Sequence, residues 1–222
     1  MIAVVAATHL ELPHWCRDSL AKAPDFFVRD GILWGVTGVG SAKVRRFYRK
    51  LDDAGVVLSV MVVGGFAGAV GEDFAVGDVV LLREVVNKGN CQYSLLTLPG
   101  FRQVRGLEVS KWTDGDEKNG LGMEADVIDM ETFTHAEECA KRGRRLLSLR
   151  VISDAYGERL PSVPYIFDSW EHVMWKRFWE HPLLFLRGFF FSWRLWRCAL
   201  ILEKYLLMVC DQLLSEEREE RR

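Results

Sequence analysis

Carboxylates set beside apolar runs are the residues of this sequence best placed to do chemistry. Glu11 follows the apolar stretch Ile2 to Ala7; Asp126, Asp129 and Glu131 are interleaved with Val127, Ile128 and Met130; Asp154 closes Val151-Ile152-Ser153. Such residues either accept from the free amides of a helix start, where the dipole favours them, or line a site at the carboxyl end of a strand. A second pattern is the turn Gly38-Val39-Gly40-Ser41, a fragment of a dinucleotide fingerprint in which Lys43 stands where the third glycine would be. It reads as a tight strand-to-helix turn that can also offer amide donors to an anion. Lys43, Arg45 and Arg46 follow it and read as a solvated helix face rather than an anion site. Five cysteines and five histidines are scattered without ligand spacing, so neither a metal nor an organic cofactor is expected.

These residues need elements to position them. Ile2 to Ala7, Gly31 to Gly40, Val56 to Val63, Val76 to Val86 and Arg145 to Ile152 read as buried strands, and Ala42 to Leu51 and Thr132 to Arg142 as helices. The glycine-rich stretch Gly64 to Gly71 reads as a backbone that turns tightly or approaches a ligand, and the polar stretch Thr113 to Asn119 as a surface loop. Strands alternating with helices predict an α/β sheet covered on both faces, with Glu11, Gly38, Gly65 and Asp154 at strand ends.

The whole chain fits this reading. With 222 residues and 49% hydrophobic content it can bury one sizeable core, which excludes disorder. Twenty-nine basic against 31 acidic residues leave a net charge of −2, so no basic field draws it to nucleic acid. The odd, dispersed cysteines suit reduced thiols in a cytoplasmic protein, and no basic segment precedes the first apolar run as a signal peptide would require.

Half of the aromatic residues lie between Tyr165 and Tyr205, which divides the chain into an α/β part, 1–164, and a helical extension, 165–222. Residues 170 to 213 read as two helical pieces broken near His181-Pro182, with the proline able to start the second. Leu183 to Val209 is rich in Leu, Phe and Trp, yet Arg187, Arg194, Arg197, Glu203 and Lys204 interrupt it, so it should not span a bilayer. Its apolar face needs cover: packing onto the domain, a homodimer partner, or peripheral contact of residues 183–209 with a membrane.

Five short motifs in order give a more specific reading. They are Ala7-Thr8-His9-Leu10-Glu11, Gly38-Val39-Gly40, Gly65-Phe66-Ala67-Gly68 followed by Val76-Gly77-Asp78, Met130-Glu131, and Arg150-Val151-Ile152-Ser153-Asp154. Over residues 2 to 157 the pattern resembles the nucleoside phosphorylase and nucleosidase family, in particular its methylthioadenosine/S-adenosylhomocysteine nucleosidases. The resemblance implies a three-layer αβα sandwich with a mixed central sheet. It also implies cleavage of the N-glycosidic bond of an adenosine-type purine nucleoside. Asp154 would be the general acid toward the departing base and Glu11 would orient or activate water. Glu131 would bind the ribose hydroxyls, and Met130, Phe66, Gly65 and Ser153 would complete the substrate site. Bond cleavage develops positive charge on the sugar and negative charge on the base, so carboxyl groups at both ends act where charge appears.

The sequence also departs from that pattern. Phe66 stands where nucleosidases usually have a small polar residue, the stretch Ser110 to Gly122 is short for base binding, and Asp129 replaces a common Glu. No arginine accompanies Gly64, which favours water over phosphate as the nucleophile. The Asp-Met-Glu triplet, the apolar glycine loop, Leu160-Pro161 and the long tail also resemble a hopanoid-associated branch that removes adenine from a lipid-linked adenosine. Three functions therefore stand: a hydrolase, a phosphorylase-type enzyme acting on a lipid-linked adenosine at the membrane surface, and a binding module that keeps the fold without the chemistry.

Overall fold

The computed structural model describes residues 1–20, 25–110, 115, 118, 120, 121, 124–158, 167, 168, 172, 173 and 182–219. The parallel centre of the sheet is built from β1 (Ile2–Ala6), β3 (Ile32–Val36), β4 (Val60–Ala69) and β9 (Arg145–Asp154). β2 (Phe26–Arg29) lies antiparallel on the β3 edge. β5 (Val79–Val86), β6 (Gln92–Ser94), β7 (Arg102–Glu108) and β8 (Val127–Asp129) complete a nine-stranded sheet. β4 is long enough to pair β1 through its first half and β8 through its last two residues, while β9 runs along its other edge. Because β9 pairs β5, β5 pairs β7 and β7 pairs β8, five strands close on themselves at one end of an otherwise open sheet.

Side chains alternate across these strands and feed two layers. Ile2, Val4, Val60, Val62, Leu147 and Leu149 face α4 (Pro182–Glu219), whose Cys198, Leu202, Leu206 and Val209 share their core, together with Cys16 and Leu20 of α1 (His14–Leu20). Ala3, Val5, Met61 and Val63 face α2 (Ser41–Asp53) and α3 (Thr132–Lys141), packing on Val44, Phe47, Tyr48, Leu51 and Ala136. Helices on both faces of a mixed sheet make the expected three-layer sandwich. The closed end has its own interior, to which β4, β5, β7, β8 and β9 contribute Ala67, Val80, Val104, Val127 and Ile152.

Three expectations are corrected. The glycine-rich stretch does not turn after Val63: β4 continues through Gly64, Gly65 and Gly68 to Ala69. Glycine is used there because neighbours occupy the space of its side chain, Leu206 above Gly64 and Arg150 above Gly65. In Thr113 to Asn119, Gly115 and Lys118 are buried rather than on a surface loop, and the rest of that stretch lies outside the described residues. The second helical piece of the tail begins at Pro182 as expected. Of the first, His172 and Val173 instead pair as a short strand with Phe167 and Asp168; its other residues, like Leu160-Pro161, lie outside the described residues.

Candidate active site

The register of the parallel strands decides where the acids meet. Ala6 of β1 lies level with Val36 of β3 and Gly64 of β4, so the segments leaving β1 and β3 emerge together beside Gly65. The first, a single 3-10 turn His9–Glu11, carries Glu11. Glu11 Oε2 accepts from the amide and hydroxyl of Thr8 at 2.8 and 2.9 Å, and its Oε1 accepts from the amide of Phe66 at 3.2 Å. The second carries Gly38 and Gly40 in left-handed backbone, with φ of 81° and 93°, which glycine alone adopts without strain. Gly40, at the start of α2, donates its amide to Glu131 Oε1 at 3.0 Å. The glycine turn thus does offer an amide donor, and its acceptor is the protein's own Glu131. Lys43, Arg45 and Arg46 are exposed, with Arg45 bound to Glu137 at 2.9 Å, as a solvated face requires.

Glu131 arrives from β8, which runs antiparallel to β4 with Ile128 opposite Gly68. Asp129 ends that strand and accepts from the amides of Glu131 and Thr132 at 3.3 and 3.1 Å, the capping role open to it from sequence. It also pairs with Arg150 Nη2 at 2.7 Å, both side chains being buried. Arg150 donates to Thr132 as well, and its Nη1 lies where a Cβ on Gly65 would stand. Glu11 Oε1 is 3.1 Å from that same point. Glu11, Asp129 and Glu131 therefore gather around one guanidinium. Burial pushes the Glu131 carboxyl up to about 8, with the charge of Asp129 adding to the rise and Arg150 opposing it. Burial raises Glu11 too, against the pull of Arg150.

Asp154, the last residue of β9, meets β4 at Gly68, three residues or about 10 Å of strand beyond Gly65. Between Ala67 and Gly68 the pairing slips: Ala67 faces Ile152, and Gly68 faces Asp154, so Ser153 is an extra residue on β9. Such bulges re-aim side chains at the ends of strands, and here Asp154 Oδ2 comes within 2.7 Å of a Cβ built on Gly68. Ser153 turns its hydroxyl back to Asp154 Oδ1 at 2.6 Å. Lys118, fully buried, donates to Asp154 Oδ2, to the Asp154 carbonyl at 3.4 Å and to the Ala155 carbonyl at 2.9 Å. An ammonium has three protons, and all three are used.

Of the residues expected from sequence, Glu11, Glu131 and Gly65 share one cluster, and Asp154 and Ser153 of β9 form a second against Gly68 of β4. Phe66 contributes its amide to Glu11 while its ring packs toward the α4 core, and Met130 packs beside Val70, Leu107 and Ile128. Lys118 and Arg150 have larger parts than their sequence context suggests. Glu108 is an addition: it accepts from Ser41, Thr134 Oγ1 and the Thr134 amide at 3.3, 2.8 and 2.8 Å, and burial raises its pKa. A hollow of about 280 Å³ lined by Tyr93, Cys139, Arg144 and Arg145 opens at the opposite end of β9 and contains none of these acids. Among the described residues no group of His, Cys, Asp and Glu could hold a metal ion.

No protein-family model matches the chain, and no curated protein sequence matches it. Solved structures do. Helicobacter pylori 5′-methylthioadenosine/S-adenosylhomocysteine nucleosidase, crystallised with butyl-thio-DADMe-Immucillin-A, is similar over 95% of this chain and 97% of its own, with a TM-score of 0.65 and 15% identity. Futalosine hydrolase of the same organism gives the same figures. Streptococcus pyogenes S-adenosylhomocysteine nucleosidase with 5-methylthiotubericidin covers 70% of this chain and 84% of its own, at a TM-score of 0.55 and 18% identity. At such identities the likeness is one of fold, and the fold is that of the nucleosidases.

Proposed function

We propose that this protein hydrolyses the N-glycosidic bond of an adenosine-type purine nucleoside. The observation that carries the reading is the division of buried acids along β4, Glu11 and Glu131 at Gly65 and Asp154 at Gly68, on the fold of structures that hold nucleoside analogues. The sugar lies toward Glu131 and Glu11 and the base toward Asp154. Glu131, protonated below about pH 8, offers the ribose hydroxyls both a donor and an acceptor. Glu11 Oε1, which accepts the Phe66 amide, takes the proton of the attacking water. Once Lys118 is displaced Asp154 takes up a proton from solvent; water adds to the anomeric carbon as the carbon–nitrogen bond breaks, and the base leaves with that proton. The donor N–H groups of the base replace the Lys118 ammonium on Asp154 Oδ2 and the Ala155 carbonyl.

Water is favoured over phosphate because Arg150, the guanidinium at Gly65, already has Asp129 as its partner among three acids. Incubation with methylthioadenosine, S-adenosylhomocysteine and adenosine, with and without phosphate, tests the reading. Free base and free sugar at a rate indifferent to phosphate are expected. Phosphate dependence would make the enzyme a phosphorylase, and no base from any nucleoside, lipid-linked ones included, would leave a binding module.

A lipid-linked adenosine as substrate is favoured by one observation. α4 turns large aromatic residues outward, and the same helix grips the segment after Asp154 through Arg194, which donates to both oxygens of Glu158 at 2.7 and 3.0 Å. Faster release of base from a lipid-linked than from a free nucleoside would establish this version of the reaction.

A further inference from the structure

We infer that the outward face of α4 is a docking surface for an anionic phospholipid bilayer, which deepens the membrane-surface reading but stands whether or not the acids are catalytic. The inner face of the helix, with Phe191, Cys198, Leu202, Leu206, Val209 and Leu213, is spent on the core. The outer face also carries large apolar side chains. Phe190, Trp193 and Trp196 are 67%, 55% and 43% exposed, and Phe189, Leu200, Leu207 and Met208 are exposed with them. At 100° and 1.5 Å per residue these seven side chains fall in an arc of about 120° and a stripe about 28 Å long. Arg197 and Lys204 are exposed in the same arc. The one acid of the helix between Phe189 and Met208, Glu203, is turned away onto His14 at 2.8 Å.

Charge decides between occupants. A second copy docked through a two-fold axis would set the aromatic end of the stripe on its mate, with Arg197 and Lys204 of each copy meeting no carboxylate there. An anionic headgroup layer neutralises both cations, and the Trp and Phe rings suit the acyl boundary just beneath it. No helix among the described residues is long and apolar enough to cross a membrane, so the contact is lateral. Docking would also carry Asp154 toward the headgroups. Arg194, on the flank of the stripe, holds Glu158, whose Oε2 accepts from the Ala155 amide at 3.2 Å.

Co-sedimentation of the full chain with vesicles of phosphatidylcholine and phosphatidylglycerol, three to one, tests this against pure phosphatidylcholine. Binding to the anionic vesicles, with a blue shift of tryptophan emission, is expected. R197Q/K204Q should weaken partition about thirty-fold, roughly five-fold for each surface cation, and W193S/W196S by more. All four side chains are partly or fully exposed, so both variants should keep the parent's melting temperature. Protein left in the supernatant with anionic vesicles would overturn the proposal. So would a dimer, seen by sedimentation equilibrium, that W193S/W196S dissociates, since a second copy would then cover the stripe.

Discussion

At Gly65 three acids, Glu11, Asp129 and Glu131, share the guanidinium of Arg150, whereas at Gly68, among the described residues, one carboxylate, Asp154, pairs with the ammonium of Lys118. Both ends are buried and both are built against a glycine of the same strand. The ratio of acid to cation separates them. Where acids are in excess, desolvation and the charge of Asp129 favour keeping a proton on Glu131, burial makes Glu11 a stronger base, and a further anion is unwelcome. Where the ratio is one to one, the charges cancel, and in the proposed reaction the N–H donors of the base would displace the lysine. One strand therefore carries a proton-rich end and an ion-paired end, which the proposed reaction would use for the hydroxyl groups and for the base.

Three substitutions would break or sharpen that contrast. Asp154→Asn should have the largest effect, lowering base release by about a hundred- to ten-thousand-fold, the usual range for a lost acid; a smaller drop would place the proton source elsewhere. Arg150→Met leaves buried acids without their shared cation and should cost about 3–5 kcal/mol in urea unfolding, because removing one partner of a buried pair strands the other charge. Lys118→Met opens the base end and should lower KM for the nucleoside about ten-fold, or roughly 1.4 kcal/mol, with kcat little changed. A matching loss in kcat would instead put Lys118 in the proton path.

The elements that place these groups were legible to different degrees. β1, α2, α3 and β9 stand out as apolar runs or helical spacing, and Glu11, Glu131 and Asp154 are found by their position at or just beyond strand ends. β8 was hidden because three residues, Val127–Asp129, are too few to show a period, and β7 because Arg102–Glu108 interleaves charge with short apolar steps. Gly64 and Gly65 suggested a turn because glycine composition alone does not reveal that Leu206 and Arg150, far along the chain, fill the space beside them. The same holds for the charges. Whether Lys118 meets Asp154, or Arg150 meets Asp129, depends on contacts across 36 and 21 residues that no local pattern encodes. In the tail, helical spacing exposed the amphipathic problem, and the structure divided it: one apolar face went into the core and the other was left outward.

A fourth effect concerns the proton on Glu131. Its pKa rises from the ordinary carboxylate range in the unfolded chain to about 8 in the fold, chiefly through burial, so below the ordinary value both states are protonated and the group costs nothing. From about pH 4.5 to about pH 8 the folded chain retains a proton that the unfolded chain has released, and stability falls as pH rises, by up to about 1.4 kcal/mol per unit for an isolated group. Glu11 is charge-coupled to Glu131, so part of that slope belongs to the pair. Glu131→Gln removes the titration while keeping a side chain that can accept from the Gly40 amide. Relative to the parent, the variant should gain at least about 1 kcal/mol between about pH 5 and about pH 8 in urea midpoints. Parallel pH profiles for the two proteins would mean that Glu131 is ionised in the fold, and that the Gly65 end is not the proton-rich half of the comparison.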